Sequence, residues 1–275
     1  MRRELEPWLI GRTVRSVELL APPGPKYRDL HRAPGQRIEG VGRRGKFLIL
    51  PLSGGDELIV HLGMTGVISQ CPPPGAGGKH LRVVMRLDGD HLSTLYFQDI
   101  RRFGRFLIVP AGEYGELPTL AALGPEPLDD ALTAARFYAA LGRSSVAIKP
   151  YLLSQRPVAG VGNIYADEAL WTARIHPLTP AREVSRKKAS VLLQALRDVL
   201  SASIAAQGTT FDDYRTVRGE AGSFARRLNV YGRGGDACLR CGRQLSKTVI
   251  GGRGTVFCPR CQRLSRAVVR RAKAL

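Results

Sequence analysis

An α+β chain in successive parts, strands first, helices next and a cysteine-bearing hairpin last, is what this sequence predicts. Three observations carry the prediction. Short β-branched or apolar runs separated by turn signals fill the first half, apolar residues recur at helical spacing after about residue 125, and two Cys-x2-Cys pairs stand near the end. The parts are read as a β-sandwich over 1–124, a helix-two-turn-helix region over 125–233, a ribbon-like hairpin over 234–264 and a basic tail over 265–275.

Each element has its own local reason. Leu5, Trp8 and Leu9 share one face of a helix that ends at Gly11, with no capping side chain before Arg2. Strands are predicted over 14–20, 46–52, 58–62, 81–87, 94–98 and 105–109. Turns such as Ser53-Gly54-Gly55-Asp56 and Asp88-Gly89-Asp90 pair them as antiparallel hairpins, which build the sandwich. The glycine- and proline-rich run 72–78 is a mobile loop in this reading. After Leu123-Gly124-Pro125-Glu126-Pro127 the pattern turns helical, over 132–141, 147–153, 164–172 and 185–206. The last helix aligns Val184, Lys188, Leu192, Leu196, Leu200 and Ile204, and Ser185 can cap it. A polar connection over 209–235 then leads to the hairpin, and a loop that long in a compact protein is more often functional than slack.

Charge narrows the partner. Lys and Arg number 42 against 23 Asp and Glu, a formal +19 spread over the chain, which calls for a polyanion. No uninterrupted apolar run reaches membrane-spanning length and no lipidation signal is present, so nucleic acid is preferred to a membrane surface. A genome-wide taste for arginine would explain the composition but not the placed motifs.

Cys238-Leu239-Arg240-Cys241 and Cys258-Pro259-Arg260-Cys261, with 16 residues between the pairs, match a tetrathiolate zinc ribbon. Four sulfurs leave no open position for a substrate water, so one zinc ion here is structural. Two disulfides are the alternative, but nothing in the N-terminal residues looks like a secretory signal and Cys71 would be left over. Gly251-Gly252-Arg253 turns sharply between the pairs and leaves one arginine at the tip.

Other strings suit a nucleic-acid ligand. Ala159-Gly160-Val161-Gly162-Asn163 opens a helix and can seat a phosphate, with Lys149 and Asn163, read as the N-cap, within reach of one oxygen. Arg43-Arg44-Gly45-Lys46 crowds three cations at a strand start, which lowers a lysine's proton affinity and suits proton transfer. His61-Leu62-Gly63-Met64-Thr65-Gly66 and Asp99-Ile100-Arg101-Arg102-Phe103-Gly104 each hold an apolar side chain in a glycine-bearing loop, beside arginine in the second, as insertion into a base stack requires.

These strings, with Leu123-Gly124-Pro125-Glu126-Pro127-Leu128, Ala147-Ile148-Lys149-Pro150, Val230-Tyr231-Gly232-Arg233 and the hairpin with Arg253, run in the order of the bacterial formamidopyrimidine-DNA glycosylases of the Fpg/Nei group. The chain resembles that family nearly throughout. The resemblance implies a β-sandwich, a helix-two-turn-helix domain and a zinc-ribbon hairpin, acting as a monomer on duplex DNA with an oxidised or abasic site, in the bacterial cytoplasm with the nucleoid. It implies excision of oxidised purines such as 8-oxoguanine and formamidopyrimidines, then strand cleavage by β- and δ-elimination. By motif, Met64, Arg101 and Phe103 are similar to the wedge that replaces an everted base, with Arg101 facing the orphaned cytosine. Lys46 and Arg253 resemble the proton donors of the two eliminations. His61, Lys149 and Asn163 resemble phosphate ligands, with His80 and Arg143 near further DNA contacts. Residues 215–224 resemble the loop that closes over the flipped base. Its length, with the intact wedge, favours the oxidised-purine branch.

One departure stands out. The family's nucleophile is an N-terminal proline followed by a glutamate acid, whereas here Met1-Arg2-Arg3-Glu4-Leu5-Glu6-Pro7 aligns with the middle of the family's first helix, about nine residues further on. Pro7 is internal and its nitrogen is an amide. The expectation is a start assigned too late. As written, the chain should bind DNA without efficient glycosidic cleavage, and borohydride trapping on 8-oxoguanine duplex tests this. A non-catalytic damage-binding zinc protein is the main alternative. An RNA- or ribosome-associated zinc protein is a third reading, with no use for the wedge.

Overall fold

The computed structural model describes residues 1–72, 78–89, 92–209, 217 and 222–264. The basic tail, most of the proline-glycine loop and most of the 215–224 segment lie outside these residues. The chain divides into two compact units, Met1–Ala121 with Ala206–Ala225, and Ala122–Ala205 with the chain from Arg226 on.

The first unit opens with α1 (Arg2–Leu9), which turns Leu5, Trp8 and Leu9 inward and ends where Gly11 takes a positive φ of 84°. Eight strands follow: β1 (Val14–Leu19), β2 (Gly42–Arg44), β3 (Phe47–Pro51), β4 (Asp56–His61), β5 (Gly66–Ser69), β6 (Leu81–Leu87), β7 (Thr94–Asp99) and β8 (Arg105–Pro110). They form two antiparallel four-stranded sheets, ordered β1-β6-β7-β5 and β2-β3-β4-β8, and the short helix α2 (Pro118–Ala121) comes after them.

Alternation of period two explains the core. Val83, Met85, Leu95 and Phe97 from one sheet meet Leu48, Leu50, Leu58, Val60, Phe106 and Ile108 from the other in one buried cluster, which α1 closes with its three apolar residues. Val217 is buried in the same cluster. The feet of its connection are drawn together: Ser223 N–H donates to the Ala206 carbonyl at 3.1 Å, and a Cβ at Gly222 would lie 2.2 Å from the Gly208 oxygen.

Two strands escape the sequence reading. The cationic run expected to begin a strand is split: Gly42–Arg44 is a strand of its own, and Gly45-Lys46 is the turn into β3, with Gly45 at φ 55°. β2 is too short and too polar for an alternation test, and β5 starts on a glycine directly after a loop.

The second unit carries α3 (Ala134–Gly142), α4 (Ile148–Leu153), α5 (Asn163–Thr172) and α6 (Arg186–Ala205), then the hairpin of β9 (Ser246–Ile250) and β10 (Arg253–Phe257). Thr133 caps α3 by accepting from the Arg136 N–H, and Ser185 accepts from Ala189 and Lys188 at the head of α6. The predicted stripe of α6 is buried at Leu192 and Leu196, while Ile204 is exposed. The turn between α4 and α5 is tied by Gln155, whose side-chain oxygen accepts from Gly160 N–H at 2.9 Å. No helix among the described residues is long and apolar enough to cross a membrane.

Candidate nucleic-acid interface and metal centre

In the first unit two loops stand side by side because one buried carboxylate holds both. β7 alternates inward and outward, and its last inward position is Asp99, fully buried. One Asp99 oxygen accepts from the Thr65 hydroxyl at 2.5 Å and the other from Gly104 N–H at 2.6 Å. Thr65 in turn accepts from Arg101 N–H at 3.0 Å, and Arg82 donates to the Asp99 carbonyl at 2.9 Å. A charged group removed from water is tolerated only with such partners. Glycine is required at the approach: a Cβ on Gly63 would sit 2.7 Å from Gly104 N, and one on Gly104 2.7 Å from the Phe97 ring.

The outcome is a rigid mount for the side chains expected to form the wedge. Met64 is 49% exposed and Phe103 46% exposed, and Arg101 lies with its guanidinium 5.0 Å from the Phe103 ring centre. Met64, Arg101 and Phe103 are therefore brought together at one surface. Sequence reasoning placed Asp99 and Thr65 in the two loops without seeing that they support them, and it missed Lys26. Lys26 donates to the Arg102 carbonyl at 2.6 Å and lies 5.7 Å from the Phe103 ring centre. A carboxylate at an inward strand position was the available signal for Asp99.

Lys46 stands exposed in the β2–β3 turn, shaped by Arg43 donating to the Gly45 carbonyl at 2.8 Å. Across the sheet, His61 packs its ring 4.6 Å from Phe47. Burial, then the Lys46 and Arg105 cations, push the His61 pKa down to about 4. Its Nδ1 accepts from Gly63 N–H at 3.1 Å, so the neutral ring carries its proton on Nε2 and can donate it outward. His80, in the turn before β6, is half-buried, and its carbonyl accepts from Asp99 N–H.

In the second unit the structure revises two expectations. Lys149 is not at the surface awaiting a phosphate; it is fully buried, because its ammonium has all three donors engaged inside the unit. It meets Asp167 at 2.6 Å, the Thr255 hydroxyl at 2.7 Å and the Gly254 carbonyl at 3.0 Å. Burial disfavours both charges of the pair, pushing the Asp167 pKa up to about 6 and that of Lys149 down. Asp167 also accepts from Val256 N–H at 3.1 Å.

Asn163 is the first residue of α5 and Gly162 the cap, so the expected N-cap role falls to glycine. The Asn163 amide instead donates to the Gly254 carbonyl at 3.0 Å. Lys149, Asp167 and Asn163 thus grip the strand that follows the Gly251-Gly252 turn, whose positive φ angles of 56° and 72° suit a two-residue hairpin. Arg253 is exposed beside that turn. Arg143 is exposed at the end of α3.

The four cysteines expected to bind metal converge. The sulfurs of Cys238, Cys241, Cys258 and Cys261 all lie within 4.8 Å of one another, and none is in a disulfide. Sulfurs of a tetrahedral zinc site are separated by about 3.8 Å when each Zn–S bond is about 2.3 Å, so the set fits one structural zinc. The hairpin has more core than its length suggests, since Trp171, Val230, Leu245 and Val256 pack with the cysteines. Glu168 anchors the approach to it, accepting from the backbone of Asn229, Val230 and Tyr231 and from the Asn229 amide.

Known proteins define the class to which this assembly belongs. Residues 1–106 match the formamidopyrimidine-DNA glycosylase N-terminal domain, 123–214 the H2TH domain of the same glycosylases, and 235–264 the zinc finger found in FPG and IleRS. The formamidopyrimidine-DNA glycosylase of Thermus thermophilus is 47% identical over 263 residues, 95% of each chain, and that of Deinococcus radiodurans is 44% identical over 276 residues, 96% of this chain and 94% of that one. The crystal structure of the MutM (Fpg) protein from Thermus thermophilus superposes with a TM-score of 0.87 at 47% identity, covering 95% of both chains. A Lactococcus lactis FPG mutant in complex with Fapy-dG containing DNA gives 0.83 at 33% identity, covering 96% of this chain and 97% of that one. The chain belongs to the formamidopyrimidine-DNA glycosylase family.

Proposed function

We propose that this chain acts in base-excision repair, binding duplex DNA at an oxidised purine such as 8-oxoguanine or formamidopyrimidine, with Lys46 and Arg253 placed to donate protons in β,δ-elimination at an abasic site. No assigned site residue supplies the amine nucleophile, so borohydride trapping on 8-oxoguanine duplex decides whether the chain as written removes the base. The single observation that carries the reading is the Met64, Arg101 and Phe103 cluster, apolar and cationic, exposed, and held from beneath by Asp99. A target base inside a duplex is out of reach, and extruding it costs a few kcal/mol that wedge contacts offset.

In this reading Met64 and Phe103 fill the vacated stack and Arg101 faces the orphaned base. His61 donates a hydrogen bond from its Nε2–H to a phosphate, and Asn163, His80 and Arg143 make further backbone contacts. Lys46 and Arg253 supply protons in the two eliminations. Lys149 works indirectly, by holding the hairpin that carries Arg253. The net charge of +19 supports the polyanion as substrate. The zinc ion, when bound, cross-links the hairpin and takes no part in the chemistry. A DNA substrate and thiolates kept reduced for zinc both support a cytoplasmic, nucleoid-associated protein, and family membership supports a monomer.

The test is competitive binding. Duplex carrying 8-oxoguanine or an abasic site should outcompete both undamaged duplex and RNA. Affinity should fall by about 10³–10⁵ between about 50 and 200 mM salt if roughly six to ten phosphates are contacted. Equal competition by RNA would overturn the reading.

A further inference from the structure

The end of α5 meets both cysteine knuckles. Trp171, the penultimate residue of that helix, is buried, and its indole N–H donates to the Cys238 sulfur at 3.4 Å. Arg240, inside the same knuckle, lies with its guanidinium 4.0 Å from the Trp171 ring centre and donates to the Trp171 carbonyl at 2.9 Å. The first knuckle therefore grips one residue three ways: sulfur to indole N–H, cation to ring, and guanidinium to helix-terminal carbonyl. The second knuckle is tied nearby, where Gln262 accepts from Cys258 N–H at 2.8 Å and donates to the Ile175 carbonyl at 2.9 Å.

We propose that Trp171 is a positioning residue of the zinc site, a second-sphere N–H donor that stabilises the Cys238 thiolate and makes the end of α5 part of the metal centre. The chemistry favours it. Four thiolates around one divalent cation leave net negative charge in a buried place, and each N–H donated to sulfur disperses some of it. Arg240 places a cation over the same indole, which strengthens the ring's edge as a donor. The backbone contributes in kind at the other knuckle, where Cys261 N–H approaches the Cys258 sulfur at 3.3 Å. Metal loading and the order of the helix end are thereby linked, independently of any role in DNA.

The experiment uses the full chain loaded with zinc or with cobalt. W171F keeps an aromatic ring in the cluster and removes the donor together with some ring volume, which is why the band position is read beside the affinity. Zinc affinity, read by competition with a chromophoric chelator, should fall by about tenfold or more in W171F. The sulfur-to-cobalt charge-transfer band should move to lower energy, because the thiolate has lost a hydrogen bond. R240Q should weaken zinc less and leave the band nearly in place. Unchanged affinity in W171F overturns the proposal, and so does lost affinity with an unmoved band, which would reduce Trp171 to packing. Should W171F not fold, the native protein still decides. With cadmium-113 loaded in place of zinc, its Trp171 indole proton should show scalar coupling to the metal through the Cys238 sulfur, and an uncoupled indole proton overturns the proposal.

Discussion

The two exposed tips of this molecule, the Met64/Phe103 loops and the Arg253 hairpin, are held in place by opposite means. The loops rest on a large apolar core and are fixed by one buried carboxylate and the close approach of glycines. The hairpin sits on a small cluster and is fixed by four cysteines suited to zinc and a buried lysine–aspartate pair. A tip with abundant apolar support needs only a few hydrogen bonds to define its shape. A tip with little support needs stronger and more local ties.

That contrast is breakable, starting with the metal. Chelating zinc, or replacing Cys258 by Ala, should remove most of a contribution of about 10–16 kcal/mol to the ribbon. Hydrogen exchange should then show lost protection over β9 and β10 and unchanged protection over β3, β4, β6 and β7. Protection lost equally in both regions would erase the distinction.

The buried pair comes next. K149M or D167N alone should cost about 3–5 kcal/mol, since either leaves a buried charge unpaired, while the double change should recover much of it. Denaturant titration of the four proteins gives the coupling, and additive losses would argue against a pair acting as a unit.

A smaller effect is expected at the loops. D99A strands the Thr65 hydroxyl and the Gly104 N–H, at about 1–3 kcal/mol for each buried donor. Proteolysis should find the 100–104 loop more readily, with the sheets intact. The smallest effect concerns pH. The folded His61 pKa, near 4, lies below its ordinary value of 6.5, so the unfolded chain binds the proton first as pH falls. Stability from this group is present above about pH 6.5 and is lost on descent toward pH 4, and H61N should flatten that part of a melting-temperature profile.

What could be read from sequence follows the same division. The zinc site was legible because its ligands come as two local pairs, and six of the eight sandwich strands because alternation is local. The Asp99 mount was not, since Thr65, Asp99 and Gly104 come from separate stretches that only the sheets bring together. Lys149 was legible as a residue that matters and misread in its direction: a cation near a glycine-rich helix entry suggests phosphate, yet Asp167, a few residues into α5, claims it. Asn163 erred for a related reason, since cap preference cannot see Gly254 far along the chain.

The most direct test of the central claim places 2-aminopurine beside an 8-oxoguanine or an abasic analogue in a duplex and follows its fluorescence on binding. With the native chain the signal should rise as the stack opens. With M64A/R101A/F103A, at protein concentrations that saturate the same duplex, the rise should be largely lost. An undiminished rise with the triple variant would contradict the account.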